Sequence, residues 1–228
     1  MTQLPRYIAI EGCIGVGKTT LTHLLAERFR ARTVTEVVEE NPFLPEFYRD
    51  PKAHAFKTQI FFLFSRFRQQ ESLAQGELFV SSTVSDYLFA KDRIFAELTL
   101  TDAELALYLE IYRVLDARVP KPDLVIFLQA PIEIVLARIR QRGRAFEKDI
   151  DPDYLRGLVA SYQRFFSRYR ETPLLIVDTS DLNFPNRSSD VDLIVDAIGN
   201  CRAGCKRLDA RGFSDAALDL LLHDTAAS

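Results

Sequence analysis

The chain has 228 residues, 47% of them hydrophobic and 27% charged, enough apolar material for one substantial core. A net charge of −3 argues against a general nucleic-acid binder. Three cysteines suit a reduced, cytoplasmic setting. No apolar run approaches the roughly 20 residues of a membrane-spanning helix, so no membrane partner is expected.

In chain order, Tyr7-Ile8-Ala9-Ile10 reads as a buried strand that starts too near Met1 for a signal peptide to precede it. Gly12-Cys13-Ile14-Gly15-Val16-Gly17-Lys18-Thr19 follows, then a helical pattern over Thr20–Phe29. Thr33–Val38 is a predicted second strand, and Asn41-Pro42-Phe43-Leu44-Pro45 breaks the chain. Residues 52–70 read as a helix and Leu78–Val84 as a strand, followed by helical patterns over 88–97 and 102–118. Asp123–Leu128 is a central strand, and the helix that begins at Pro131 carries a basic run from Arg138 to Arg144. A helix over 152–170 and a strand at Leu174–Val177 complete the pattern. Beyond about residue 198 the composition shifts to Ala, Asp, Arg and Leu, and an amphipathic stretch at Ser214–Leu222 suggests a tail helix or an appendage. Near-continuous apolar strands alternating with helices predict an α/β fold with a parallel sheet of about five strands, covered by helices on both faces. Ligands in such sheets bind at the carboxyl ends of the strands.

Residues 12–19 satisfy G-x-x-x-x-G-K-[ST] at every fixed position, between a strand and a helix. That arrangement aims backbone N–H groups and a helix N-terminus at a polyphosphate. Gly15 and Gly17 let the backbone wrap closely, Lys18 reaches the β- and γ-phosphates, and Thr19 holds Mg²⁺ through its hydroxyl. Gly12, Cys13, Ile14, Val16 and Thr20 complete the nucleotide-binding segment, which implies ATP and Mg²⁺ as ligands.

Several other residues carry two readings each. Glu36, late in the second strand, is either a base for an attacking hydroxyl or one more solvated acid beside Glu39 and Glu40. Asp86, just after the third strand, is a Mg²⁺ contact or a helix N-cap. Gln59 and Arg66 are two helical turns apart with Phe62 and Leu63 between them. They form a solvated face, or they read the edge of a nucleobase with Asp92 partnering the arginine. Arg138, Arg140, Arg142 and Arg144 either clamp a phosphoryl group or complement a helix C-terminus. Cys201 and Cys205 lack the second ligand pair of a zinc site, and the three histidines are scattered.

Together these pieces resemble the deoxynucleoside kinase family over residues 6 to 185. The resemblance rests on Ile10-Glu11-Gly12 leading into the phosphate loop, and on Glu36 followed by Asn41-Pro42-Phe43-Leu44 and Phe47-Tyr48-Arg49-Asp50-Pro51. It extends through Gln59 with Arg66, Ser85-Asp86 leading to Lys91-Asp92-Arg93-Ile94-Phe95-Ala96, Pro122–Ile126, and Arg142-Gly143-Arg144 with Glu147. It implies a P-loop kinase fold over residues 1–198, with a lid around 138–149 and a C-terminal tail (199–228) of no assigned role. It also implies a homodimer formed through the helices near 52–70 and 102–118. The implied activity is ATP-dependent 5′-phosphorylation of deoxynucleosides in salvage, with deoxyadenosine first and deoxycytidine accepted.

By the same resemblance, Glu36 is the general base, Tyr48 and Glu147 hold the 3′-hydroxyl, and Gln59 bonds the base edge. Arg66 and Asp92 distinguish cytosine and purines from thymine, and Asp86 lies near Mg²⁺. Lys18, Arg138, Arg142 and Arg144 act on the phosphates. One departure stands out: the family has an arginine directly after this acid, whereas Asp86 is followed by Tyr87 and Leu88. Lys91 or Arg93 is expected to supply the missing charge. The rival expectations are a nucleoside monophosphate kinase of the thymidylate kinase kind and a non-catalytic nucleotide switch.

Overall fold

Leu124, Ile126 and Leu128 pack in one apolar cluster while Val125 and Phe127, between them, pack in another. All five are at most 2% exposed. Alternating side chains buried on both faces require helices above and below the sheet, and a parallel sheet provides that. The computed structural model describes residues 5–36, 38–74, 82–144, 147 and 150–215. The first half comprises β1 (Tyr7–Gly12), α1 (Lys18–Phe29), β2 (Arg32–Val34), a 3-10 turn at Val38–Glu40, α2 (Leu44–Arg49), α3 (Pro51–Ala74) and β3 (Thr83–Ser85). Next come α4 (Lys91–Thr99), α5 (Asp102–Asp116), β4 (Leu124–Gln129), α6 (Ile132–Arg142) and α7 (Pro152–Ser167). The chain continues through β5 (Leu174–Asp178), α8 (Ser188–Asn200), β6 (Cys205–Asp209) and β7 (Gly212–Asp215).

The sheet order is β2-β3-β1-β4-β5-β6-β7, with all pairings parallel except β6 with β7. Helices α1 and α8 cover one face through Leu21, Leu25, Ile194 and Ile198. Helices α6 and α7 cover the other through Val135, Ile139, Leu158 and Phe166, with Ile94 of α4. A satellite cluster joins Leu63 and Phe67 of α3 to Tyr108, Tyr112 and Leu115 of α5. Side-chain caps mark the starts of α5 and α7: Thr101 and Glu104 form a reciprocal capping box for α5, and Asp151 caps α7 ahead of Pro152.

The structure departs from the sequence reading in several places. The sheet has seven strands rather than about five, because β6 and β7 extend it beyond β5. Residues 205–215, read as part of an appendage, instead form a hairpin whose first strand bonds to β5. Asp209 shapes its turn by accepting from Arg211 N at 2.8 Å. Residues 216–222 of the expected amphipathic stretch lie outside the described residues. Helix α8 was not anticipated. The second strand ends at Val34, so Glu36 sits in the loop after it, and β3 begins at Thr83, with 78–81 outside the described residues.

Candidate active site

The phosphate loop occupies the turn from β1 to α1, and its glycines are required sterically. At Gly12 (φ +150°) a Cβ would lie 2.4 Å from the Leu128 carbonyl oxygen, and at Gly15 (φ +82°) 2.6 Å from Ile139. The loop is therefore packed tightly onto β4 and α6. Lys18 Nζ donates to the Gly12 and Cys13 carbonyls at 2.7 and 3.1 Å. Burial and the neighbouring Lys91 charge both lower its pKa. Burial also pushes the Cys13 thiol up to about 12.

Two clefts flank this loop. One, of about 770 Å³ with its open mouth, is lined by Glu36, Tyr48, Gln59, Phe62, Arg66, Asp86, Lys91, Phe95, Glu147 and Tyr154 among others. The second runs over Gly15–Thr20 past Arg138, Gln141 and the Leu182–Asn186 loop after β5. Gly15, Lys18, Thr19, Arg142 and Arg144 line both. The clefts thus meet where a phosphoryl group bound by the loop would face a second molecule.

The acids are held by specific partners. Asp86 Oδ2 accepts from Thr19 Oγ1 at 2.7 Å, and its Oδ1 accepts from the Glu36 backbone N at 2.8 Å. One carboxylate therefore ties the phosphate loop to the segment bearing Glu36. The hydroxyl–carboxylate pair is an oxygen donor set of the kind a hard divalent cation takes when phosphates supply its other ligands. Among the described residues no group of three or more His, Cys, Asp and Glu could hold a metal by itself.

Glu36 is gripped from two helices. Arg66 Nη2 bonds its Oε1, and Lys91 Nζ donates to its Oε2 at 2.6 Å. Burial alone would raise this carboxyl, but Arg66 and Lys91 outweigh it and hold it well below the ordinary carboxylate range. Arg66 also bonds Asp92, which is fully buried behind it, and stacks 4.7 Å from the Phe62 ring centroid. Gln59 Nε2 donates to Thr99 Oγ1 at 3.4 Å. Glu147 accepts from Arg142 Nε at 3.1 Å and from its Nη2 at 2.6 and 2.5 Å, with Arg144 3.6 Å away.

The structure thus brings Glu36, Tyr48, Gln59, Arg66, Asp86 and Glu147 around one cavity and seats Asp92 behind it. Arg138 is placed differently from its neighbours. Its guanidinium donates to the Val16 carbonyl at 3.1 Å and to Thr179 Oγ1 and O at 2.9 Å each. It braces the phosphate loop against the end of β5. Of the two candidates for the missing arginine, Lys91 lies in the cavity. Arg93 points outward, 44% exposed, to Glu97.

Sequence reasoning missed Glu11 as a site-building residue. Its carboxylate is fully buried and accepts from Gly12 N (2.9 Å), Leu88 N (2.9 Å) and Tyr162 Oη (3.0 Å). It clasps β1 to the loop after β3 and to α7. The hints were an acid inside an otherwise apolar strand and its place in the Ile10-Glu11-Gly12 segment of the resemblance. Tyr154 and the Leu182–Asn186 loop were also missed, since neither carries a local signature.

Comparison with known proteins agrees with this geometry. Residues 8–201 match the Deoxynucleoside kinase family. A deoxyguanosine kinase of Bacillus subtilis (strain 168) is 38% identical over 193 residues, covering 82% of this chain and 93% of the relative. A deoxyadenosine/deoxycytidine kinase of the same organism is 31% identical over 201 residues, covering 85% and 91%. Among solved structures, deoxyadenosine kinase from M. mycoides with the products dCMP and a flexible dCDP bound superposes with a TM-score of 0.75. It is 26% identical, and the match covers 85% of this chain and 99% of that one. The chain belongs to the deoxynucleoside kinase family and is a phosphotransferase.

Proposed function

We propose that the chain moves the γ-phosphate of ATP to the 5′-hydroxyl of purine deoxynucleosides, with deoxyadenosine and deoxyguanosine the leading acceptors and deoxycytidine accepted. The observation that carries this reading is the junction of the two clefts at Lys18, Thr19, Arg142 and Arg144. The nucleotide occupies the loop side and the nucleoside the side with Glu36, Gln59 and Arg66. The acceptor 5′-oxygen attacks the γ-phosphorus, the bond to the departing ADP oxygen breaks, and the hydroxyl proton passes to the Glu36 carboxylate. Lys18, Arg142 and Arg144 face the charge that develops on the phosphoryl oxygens. Tyr48 and Glu147 hold the sugar 3′-hydroxyl. Thr19 and Asp86 would hold Mg²⁺, which would supply charge neutralisation of the phosphates.

Lys91 takes the place of the arginine that the family resemblance puts after Asp86, since it is the cation in contact with Glu36 beside the phosphate loop. The relatives named above include kinases of deoxyguanosine, deoxyadenosine and deoxycytidine, which sets the order of the acceptor panel. A homodimer is supported by apolar side chains left outside: Phe64 on α3, with Leu107 and Val114 on one face of α5, is 41%, 51% and 61% exposed respectively.

The test is a panel of deoxynucleosides and their monophosphates with ATP, scored for product. Purine deoxynucleosides should give 5′-monophosphates, and Glu36→Gln should lower kcat by about 10²–10⁴-fold. Turnover of monophosphates to diphosphates, or of thymidine alone, would overturn the proposal.

A further inference from the structure

The ion network around Arg66 is incompletely satisfied. Arg66 Nε and Asp92 Oδ2 are both buried, and among the described residues neither has a hydrogen-bond partner. The guanidinium instead spans two acids end-on, Nη1 to Asp92 Oδ1 and Nη2 to Glu36 Oε1. A buried donor and a buried acceptor left unpaired on two side chains already in contact complement each other. Turning the guanidinium side-on to Asp92 pairs Nε and one Nη with both carboxylate oxygens, the bidentate geometry arginine favours. That turn takes Arg66 off Glu36.

The turn matters because each Glu36 oxygen is engaged by a buried cation, Oε1 by Arg66 and Oε2 by Lys91. The acceptor hydroxyl needs one of those oxygens. Lys91 is anchored on the loop side, whereas Arg66 lines the cavity beside Gln59 and Phe62, the part suited to a nucleobase. A ligand shifts a two-position element only by interacting differently with the two positions. A base seated against Phe62 with acceptor atoms toward Arg66 does so, since it gives a partner to the Nη group that leaves Glu36.

We propose that Arg66 is a two-position latch that lies on Glu36 until a nucleobase fills the cavity, then turns side-on to Asp92 and releases a Glu36 oxygen for the acceptor hydroxyl. Base recognition is thereby coupled to the assembly of the catalytic site rather than to affinity alone. The inference rests on the kinase reading and on Glu36 as the base. Arg66 acts as a positioning residue, through Glu36.

The experiment compares the preferred deoxynucleoside with a base-less acceptor, 1,2-dideoxyribofuranose, at saturating ATP, resolving kcat from KM. In the wild type the base-less sugar should lose at least about 100-fold in kcat, beyond its higher KM, because binding the base is spent on assembling the site. The double variant Arg66→Met/Asp92→Asn removes the latch without stranding a buried charge, and there the kcat gap should shrink to about tenfold or less. In Asp92→Asn alone the latch has lost its second seat, so kcat for the nucleoside should fall while KM moves by less than about threefold. A purely structural role for the pair would lower both acceptors equally and leave the ratio of their kcat values unchanged. That outcome overturns the latch, as does a wild-type kcat that is the same for both acceptors. Failure of the wild type to phosphorylate any deoxynucleoside overturns the kinase reading and the latch with it. Full activity in Glu36→Gln removes the base assignment and the latch but leaves the kinase reading standing. Where the double variant melts below assay temperature, Arg66→Gln/Asp92→Asn supplies the same comparison, since two amides can hydrogen-bond to each other and neither carries the charge that holds Glu36.

Discussion

Replacing Lys91 with Met keeps the side chain's length and removes its charge from a site where both members of the pair are nearly dry. The Lys91 and Glu36 side chains are 5% and 12% exposed, and their atoms lie 2.6 Å apart. At an effective dielectric near 20, that separation corresponds to a gross attraction of about 6 kcal/mol. Little of it should appear as lost stability. Arg66 still holds the other Glu36 oxygen, so no carboxylate is stranded, and Lys18 is relieved of a like charge that lowers its pKa. The net loss should therefore fall below the ~3–5 kcal/mol typical of a buried pair broken on one side, at about 1–2 kcal/mol. For a chain of this size that is a drop in Tm of roughly 2–8 °C. Catalysis should suffer more, because a preorganised cation facing developing charge contributes about 10²–10³-fold. The assay is ADP release coupled to NADH oxidation, with a thermal melt alongside. Lys91→Met should lower kcat/KM by about 100-fold, while Lys91→Arg, which keeps the charge, should stay within about tenfold of wild type. Arg93→Ala is the control and should be near wild type, because that side chain pairs with Glu97 in solvent. A folded Lys91→Met enzyme within about threefold of wild-type kcat/KM would refute the assignment.

Asp92→Ala removes one seat of Arg66, and if the pair reads the base the ratio of kcat/KM for thymidine over deoxyadenosine should rise; an unchanged profile separates the pair from base choice. Gly15→Ala places a Cβ 2.6 Å from Ile139 at φ +82°, so nucleotide binding by fluorescence titration should weaken by at least about tenfold, near-normal affinity being the contrary result. The Cys13 thiol, buried and pushed up to about 12, should resist iodoacetamide at pH 8 in the folded protein and react only on denaturation, as read by peptide mass spectrometry. Phe64→Glu on the exposed apolar face of α3 should shift a dimer to monomer in sedimentation at unchanged Tm, and an unshifted dimer would place the interface elsewhere.

What the sequence disclosed, and what it hid, divides along the range of the interactions responsible. The central strands β1, β4 and β5 and the phosphate loop were legible because a run such as Leu124–Leu128 has no polar face and the loop is a contiguous pattern. Helix α8 was not, since Asp190, Asp192 and Asp196 dilute its apolar positions, and its burial depends on packing against α1. The hairpin at 205–215 was misread for a related reason. Lys206, Arg207 and Asp209 look like a charged tail, and β6 is a strand because β5 offers it a ladder. In the site, the family resemblance pointed to the residues that gather around the cavity, Tyr48 and Glu147 among them. It could not show Arg66 reaching Glu36, 30 positions away, because that contact depends on how α3 packs against the segment that follows β2. Nor could it separate Arg138, turned toward Val16 and Thr179, from Arg142 and Arg144 in the same basic run.

A chain with net charge −3 binds polyanions in this reading, and the site shows how the balance is kept. The cations that would face phosphate are already held by protein partners, and Lys91 is buried as well. Lys18 lies on two carbonyls, Arg142 on Glu147 and Lys91 on Glu36. Desolvating a cation is the expensive part of binding an anion in a dry cleft, and at Lys91 folding has already met that cost. Phosphate then exchanges one set of oxygen acceptors for another of higher charge, and the vacated protein acceptors become available to the second substrate. Lys91 stays on Glu36, so the vacated acceptor is Glu147, which lines the nucleoside side of the junction. Donor binding and acceptor binding therefore draw on the same ion pair from opposite sides. It follows that the two substrates should bind with positive coupling, and that neutralising Arg142 should weaken the nucleoside as well as the nucleotide.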